Sequence, residues 1–244
     1  MKNASERAEK PRLVWLDGAR SFALLAMIVF HTARDMEIFG YLEPGTTLHG
    51  GWAIFARLIA GSFLFLSGIS LIVAHGQHFR LRSWLKRLSL IVAAAALVSA
   101  VTAVVFPERF VYFGILHVIA VSNVIGVILL RLPAMGLASL AAFVLVVSSL
   151  PNSHLFSTAW LSWTGLSASV RPSLDFLPLF PWLAPLLVGM AVSKCLTFKS
   201  AFQISQNERL SYLITWPGRH SLSIYLVHQP ILIGSIWLVS KVVV

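Results

Sequence analysis

An all-α, polytopic transmembrane helix bundle is the fold class that the sequence predicts, and three observations carry it. The 244 residues are 57% hydrophobic and 11% charged, with a mean hydropathy of +0.82. Average soluble chains carry about 25% charged residues. The apolar residues fall into seven runs long enough to cross about 30 Å of hydrocarbon. The basic residues gather in the short joins between those runs, where they set topology. A net charge of +10 in that arrangement points to membrane orientation and anionic lipid, not to nucleic acid.

The runs lie near 14–35, 51–74, 84–106, 111–130, 133–150, 177–196 and 218–240. They form one domain over 14–240, between a cytoplasmic tail at 1–13 and an external tail at 241–244. No internal repeat is visible. The N-terminus is hydrophilic and has no short apolar core with a small-residue cleavage site, so no signal peptide is expected. With the N-terminus in the cytoplasm, thirteen Lys and Arg lie inside and five outside, with Arg20 within the first run, which accounts for all nineteen. This bias favours an N-in, C-out topology.

The first run reads LDGARSFALLAMIVFHTARD from Leu16 to Asp35. Asp17, Arg20, Leu24, Met27, His31 and Arg34 follow at steps of three or four and share one helical stripe. Arg20 and His31 are eleven residues apart, roughly 16 Å along the axis. Ionisable groups in a membrane helix cost about 2.5–3.5 kcal/mol each on insertion scales, so function is their default reading. The alternative for His31 is a polar residue marking the helix end. In the N-in topology Arg20 faces the cytoplasm and His31 the outside.

Other polar groups are expected at the external depth of His31. Asp35 lies one turn beyond and could fix the histidine tautomer. Arg57 lies early in the second run, and Tyr112 and His117 open the fourth. Asp175 precedes the sixth, after a long Ser-, Trp- and Pro-rich stretch from Pro151. Snorkelling is the alternative for Arg57, and a helix-packing hydrogen bond is the alternative for His117. Ser67-Gly68 lacks the spacing of a nucleophile elbow, and suits close helix packing. The fifth run opens after Pro133, which suits a helix start.

In the last run Ser221, Tyr225 and His228 share a face, and His228 is expected at mid-membrane. The single cysteine, Cys195, excludes an intrachain disulfide and a thiolate metal cluster. No metal pattern stands out. His75 and His78 read as solvated in a basic loop with Arg80, Arg82, Lys86 and Arg87. That loop could also receive a phosphate-bearing donor.

Several motifs in order resemble a known family. Leu16-Asp-Gly-Ala-Arg20, His31 and Phe65-Leu-Ser-Gly68 are similar to the opening of acyltransferase-3 membrane enzymes. The fuller set resembles the bacterial branch of the heparan-α-glucosaminide N-acetyltransferase catalytic-domain family. It comprises Met27 to Asp35, Phe55-Ala-Arg57, Phe63 to Ser70, Tyr112 to His117, Pro178 to Trp182 and Gly218 to Pro230. The match runs from about Arg12 to Leu232. It departs from the wider families in span number and in Arg20-Ser21, where Arg-Gly is frequent. Lysosomal members place a catalytic histidine in the loop after the first helix, where this chain has His49 without a local match.

The resemblance implies an integral enzyme of the bacterial inner membrane. It would take an acetyl group from cytoplasmic acetyl-CoA and give it to a carbohydrate or lipid-linked acceptor outside. His31 is then the expected general base or acyl carrier, Asp35 its orienting partner and His117 its rival. Arg20, Arg87 and Arg219 would bind the donor. Arg57, Tyr112, Asp175 and His228 would bind the acceptor or line the path. No metal is expected, and self-association into a homo-oligomer is left open. The reading from another class is a non-catalytic transporter or flippase, in which the same groups form a pathway.

Overall fold

The computed structural model describes residues 13–150, 158–196 and 208–243. The expected cytoplasmic tail up to residue 12, the start of the loop after the fifth run (151–157) and Val244 lie outside the described residues. Among the described residues the chain forms eight α-helices and no strand. They are α1 (Val14–Ile38), α2 (Gly50–His75), α3 (Leu81–Val105), α4 (Ile115–Ile128), α5 (Ala134–Ser149), α6 (Leu179–Cys195), α7 (Glu208–Arg219) and α8 (Ser221–Val243).

Four of them, α1, α2, α3 and α8, are long and apolar enough to cross a membrane, while α4, α5 and α6 are shorter apolar helices. α4 has 14 residues, about 21 Å of rise. It starts later than the 111–130 run suggests because Val111 is captured by α3. Thr102 Oγ1 accepts the Val111 N–H at 3.0 Å, and Ser99 Oγ donates to the Val111 carbonyl at 2.5 Å. The helix can begin only after the extended Gly114. The last run also divides. α7 is an added helix, and the break at His220 makes α8 start at Ser221.

Small residues set the tightest seam, between α2 and α6. A Cβ on Gly68 would run into the Leu186 carbonyl, and one on Gly189 into the Phe65 carbonyl. The two backbones therefore approach as closely as their glycines allow, as small-residue membrane interfaces do. Gly126 of α4 closes on the same place, where a Cβ would meet Leu71 at 2.6 Å and Met190 at 3.2 Å. Around this point Leu64, Val118, Leu137, Leu186, Leu187 and Met190 form the fully buried core. Residues facing away stay bare, Val104 at 84% exposed and Ile128 at 75%. An apolar exterior over an apolar interior is what a bilayer solvent selects.

α1 lies along α7 and α8. The Gly218 N–H donates to Ser21 Oγ at 2.8 Å, and a Cβ on Gly218 would meet the Asp17 carbonyl. This anchors the α7–α8 elbow to the first turns of α1, so α8 runs beside α1 in the same direction. The bundle thus has a basic end, holding the start of α1, the end of α2, the start of α3 and the elbow. The other end holds the end of α1, the start of α4 and the segment before α6.

Candidate functional site

The polar seam between α1 and α8 lies toward that other end. His31 of α1 and His228 of α8 meet ring to ring, with centroids 4.9 Å apart. His228 Nδ1 lies 2.6 Å from the Tyr225 carbonyl. A carbonyl only accepts, so Nδ1 carries the proton and Nε2 keeps a free lone pair. That Nε2 is buried and has no partner among the described residues. One turn above His31, Asp35 is 0% exposed and accepts from Gln229 Nε2 at 2.8 Å. Its second oxygen, Asp35 Oδ2, is buried and unpartnered among the described residues, and so is Gln229 Oε1.

Three orphan acceptors therefore share one seam, and each buried polar atom without a partner costs about 1–3 kcal/mol. A seam so arranged is complementary to a hydrogen-bond donor. Phe30 and Trp52 wall it, their rings 6.3 Å apart, with Phe30 5.6 Å from His31.

One expectation changes here: Asp35 takes its hydrogen bond from Gln229 instead of orienting His31. His228 stands opposite His31. The cause is the elbow: α8 enters beside Ser21, so seven residues of α8 bring His228 level with a group on α1 ten residues past Ser21.

Tyr225 links this seam to the start of α4. Its ring is 5.5 Å from His228, and its other side faces a small cavity shared with Gly114, His117 and Asp175. Both nitrogens of His117 are occupied. Nδ1 accepts the Gly114 N–H at 3.2 Å, and Nε2 lies 3.2 Å from Ser99 Oγ, whose own proton goes to Val111. His117 is thereby a clasp between α3 and α4, with no lone pair to spare.

Asp175 Oδ2 accepts the Ile115 N–H at 3.1 Å and so caps α4 from another segment, where the helix dipole favours a carboxylate. A Cβ on Gly114 would collide with that carboxylate. Burial raises the Asp175 carboxyl above its ordinary value, and the Ile115 N–H opposes the rise. Tyr112 donates to the Arg171 carbonyl at 3.4 Å and stacks near Phe176 at 5.3 Å, on the rim of the same segment. Arg57 is exposed on α2 and forms no hydrogen bond or ion pair among the described residues, so the structure does not bring it to the seam.

At the basic end Arg20 donates to Asp17 at 2.8 Å and to Ser70 at 2.6 Å. Ser70 passes its proton to the Leu66 carbonyl. Asp17 also pairs with Arg219 at 3.8 Å, and Arg219 lies 5.8 Å over the Tyr212 ring. Arg87 of α3 lies close enough to Arg20 and to His75 for its charge to act on both, and has no ion pair among the described residues. Three arginines thus gather at one end, and Asp17 and Ser70 hold two of them in place.

Residues 12–230 match the family described as heparan-alpha-glucosaminide N-acetyltransferase, catalytic. The chain belongs to this family. The match covers nearly all of its length, and the family carries membrane acetyltransferase activity with acetyl-CoA as its general donor. Among curated proteins and among solved structures no match is found. For a member of this family, the sequence signal overlooked Gln229, Ser70 and Ser99. Each is a polar residue inside an apolar run, which is the mark that could have exposed it.

Proposed function

We propose that the protein takes an acetyl group from acetyl-CoA at its basic, cytoplasmic end and delivers it, at the opposite external end, to the amine of a carbohydrate acceptor. The orphan acceptors beside His31 carry this reading. Asp35 Oδ2, Gln229 Oε1 and His228 Nε2 are all buried and all lack a donor among the described residues. An amine offers two or three N–H groups to such a seam, and a hydroxyl offers one.

The basic end suits the donor. Its chemistry is that of an anion with an activated thioester, and Arg20, Arg87 and Arg219 supply cations on that side. Held there, acetyl-CoA provides the acyl carbon. Leu24 and Met27 fill the α1 stripe between Arg20 and His31 and are buried against Ile59, so the pantetheine arm would have to part them to reach the seam. His31 removes a proton from the acceptor amine as the nitrogen attacks the thioester carbonyl. The C–N bond forms, the C–S bond breaks, and the thiolate leaves and is protonated to the thiol. His228, whose Nδ1 is committed to Tyr225, keeps its Nε2 lone pair for a second N–H of the acceptor. Tyr112 lies on the rim where a sugar would enter, and Arg57 stands apart from it on the exposed face of α2. His117 and Asp175 hold the start of α4 behind Tyr225.

Reconstituted protein with acetyl-labelled CoA tests this. Glucosamine is expected to be acetylated, one thiol being released per product, while glucose is not. His31→Ala is expected to lower the rate roughly 10²–10⁴-fold with helix content unchanged. Full activity in His31→Ala, or equal acetylation of glucose, overturns the assignment. Movement of the sugar across vesicles without thiol release would favour the transporter reading.

A further inference from the structure

The start of α3 and the residues just before it present a pattern of which the donor reading uses only Arg87. Trp84 and Arg87 stand at i and i+3 on α3 and share one face, and Arg80 caps the helix just before them, with its Nη2 donating to the Ala74 carbonyl at 3.4 Å. Just before them Phe79 exposes 44% of its surface on the basic end. Its ring lies 5.8 Å from Trp84 and 5.4 Å from His75. The indole N–H of Trp84 is buried and has no partner among the described residues. His75 is buried, and its Nδ1 accepts the Arg80 N–H at 3.3 Å, which fixes the ring beneath Phe79. Arg87 continues the face to Arg20. An aromatic platform flanked by cations, with a spare N–H donor, fits a purine carrying phosphates. Base–aromatic stacking is tolerant of sequence context and strong, and guanidinium groups suit phosphate oxygens.

We propose that Phe79, Arg80 and the Trp84–Arg87 face seat the adenine nucleotide part of the acyl donor. The platform anchors the nucleotide at the loop, outside the bundle. The rest of the donor then runs toward Arg20 at the same end of the bundle. This rests on the donor reading above, and it adds that affinity for the donor is supplied mainly by its nucleotide and not by its thioester arm.

Calorimetry on the full-length protein in phosphatidylcholine vesicles tests the seat, with acetyl-CoA and with acetyl-pantetheine, which lacks the nucleotide. Wild type is expected to bind acetyl-CoA the more tightly. Phe79→Ala is expected to weaken acetyl-CoA binding about tenfold and to leave acetyl-pantetheine binding unchanged. Phe79→Trp, which keeps a stacking surface, is expected to restore affinity. Unchanged acetyl-CoA affinity in Phe79→Ala overturns the seat, and so does an equal loss for both donors. A wild type that binds neither donor overturns the donor reading itself, and the seat with it.

Discussion

The α2–α6 seam and the α1–α8 seam are both helix pairs inside one membrane bundle, and they are built on opposite principles. The first is dry and close. Gly68 and Gly189 each face the partner's backbone, and no side chain fits between them. The second is polar and incomplete, with Asp35, His228 and Gln229 each leaving a buried acceptor unmatched. A stability-driven seam satisfies its polar atoms or has none. The first seam has the character of scaffold, and the second leaves open the acceptors that the proposed acceptor site would use.

The largest effect on stability belongs to the dry seam. Gly189→Ala places a methyl against the Phe65 carbonyl, and backbone cannot yield as a flexible side chain can. We expect a loss of about 1–3 kcal/mol, from overpacking. Gly234→Ala in α8 is the matched control, because its Cβ would meet nothing within 4 Å. There the same change is expected to stabilise by about 0.5–1 kcal/mol, through helix propensity alone. Thermal unfolding of the two variants in one detergent checks the opposite signs. Equal responses would break the contrast at its strongest point.

The polar seam gives a change in stability that a second substitution cancels, with a split between stability and activity. Asp35→Leu alone leaves the Gln229 amide buried without its acceptor and is expected to cost about 1–3 kcal/mol. Adding Gln229→Met removes the second polar partner. The double variant is expected to return to within about 1 kcal/mol of wild type, since replacing both partners by apolar groups is nearly neutral. Its acetyl transfer is nevertheless expected to fall at least tenfold. If the double variant keeps its rate, the orphan atoms are not a ligand site. If it unfolds as readily as the single variant, the seam is scaffold after all.

This contrast also shows what the sequence made legible. Hydropathy reports the solvent around a helix, so the seven runs and the lipid-facing exterior could be read from it. The helical period placed Arg20 and His31 on one stripe. It could not report where α8 begins, because the break at His220 depends on Gly218 docking against Asp17 and Ser21. That one tertiary contact sets the level of His228, and so the pairing of the two histidines. The late start of α4 has the same origin, in Ser99 and Thr102 of another helix holding Val111. α7 mixes charged and apolar residues, and hydropathy alone passes it over.

Asp175 offers the finest test, because it is a second carboxyl near the same end, half-buried and with a different commitment. Its Oδ2 is bound to the Ile115 N–H, which places it with the scaffold and apart from Asp35. Burial raises its carboxyl, with the Ile115 N–H pulling the other way. A carboxyl whose value is higher in the folded state than in the unfolded state binds its proton more tightly when folded. Its contribution to stability is then fully present below the ordinary carboxylate value and is lost as pH rises through the raised one. Between those two values wild type should lose stability with rising pH. Asp175→Asn can still accept the Ile115 N–H through its amide oxygen, but it does not titrate. The measurement is the unfolding midpoint of both proteins from about pH 4 upward. The difference between them, which cancels the other titrating groups, should move in favour of Asn as pH rises. A difference that is flat or of opposite sign would mean that the capping bond to α4 outweighs burial, and that Asp175 holds its helix as a charge.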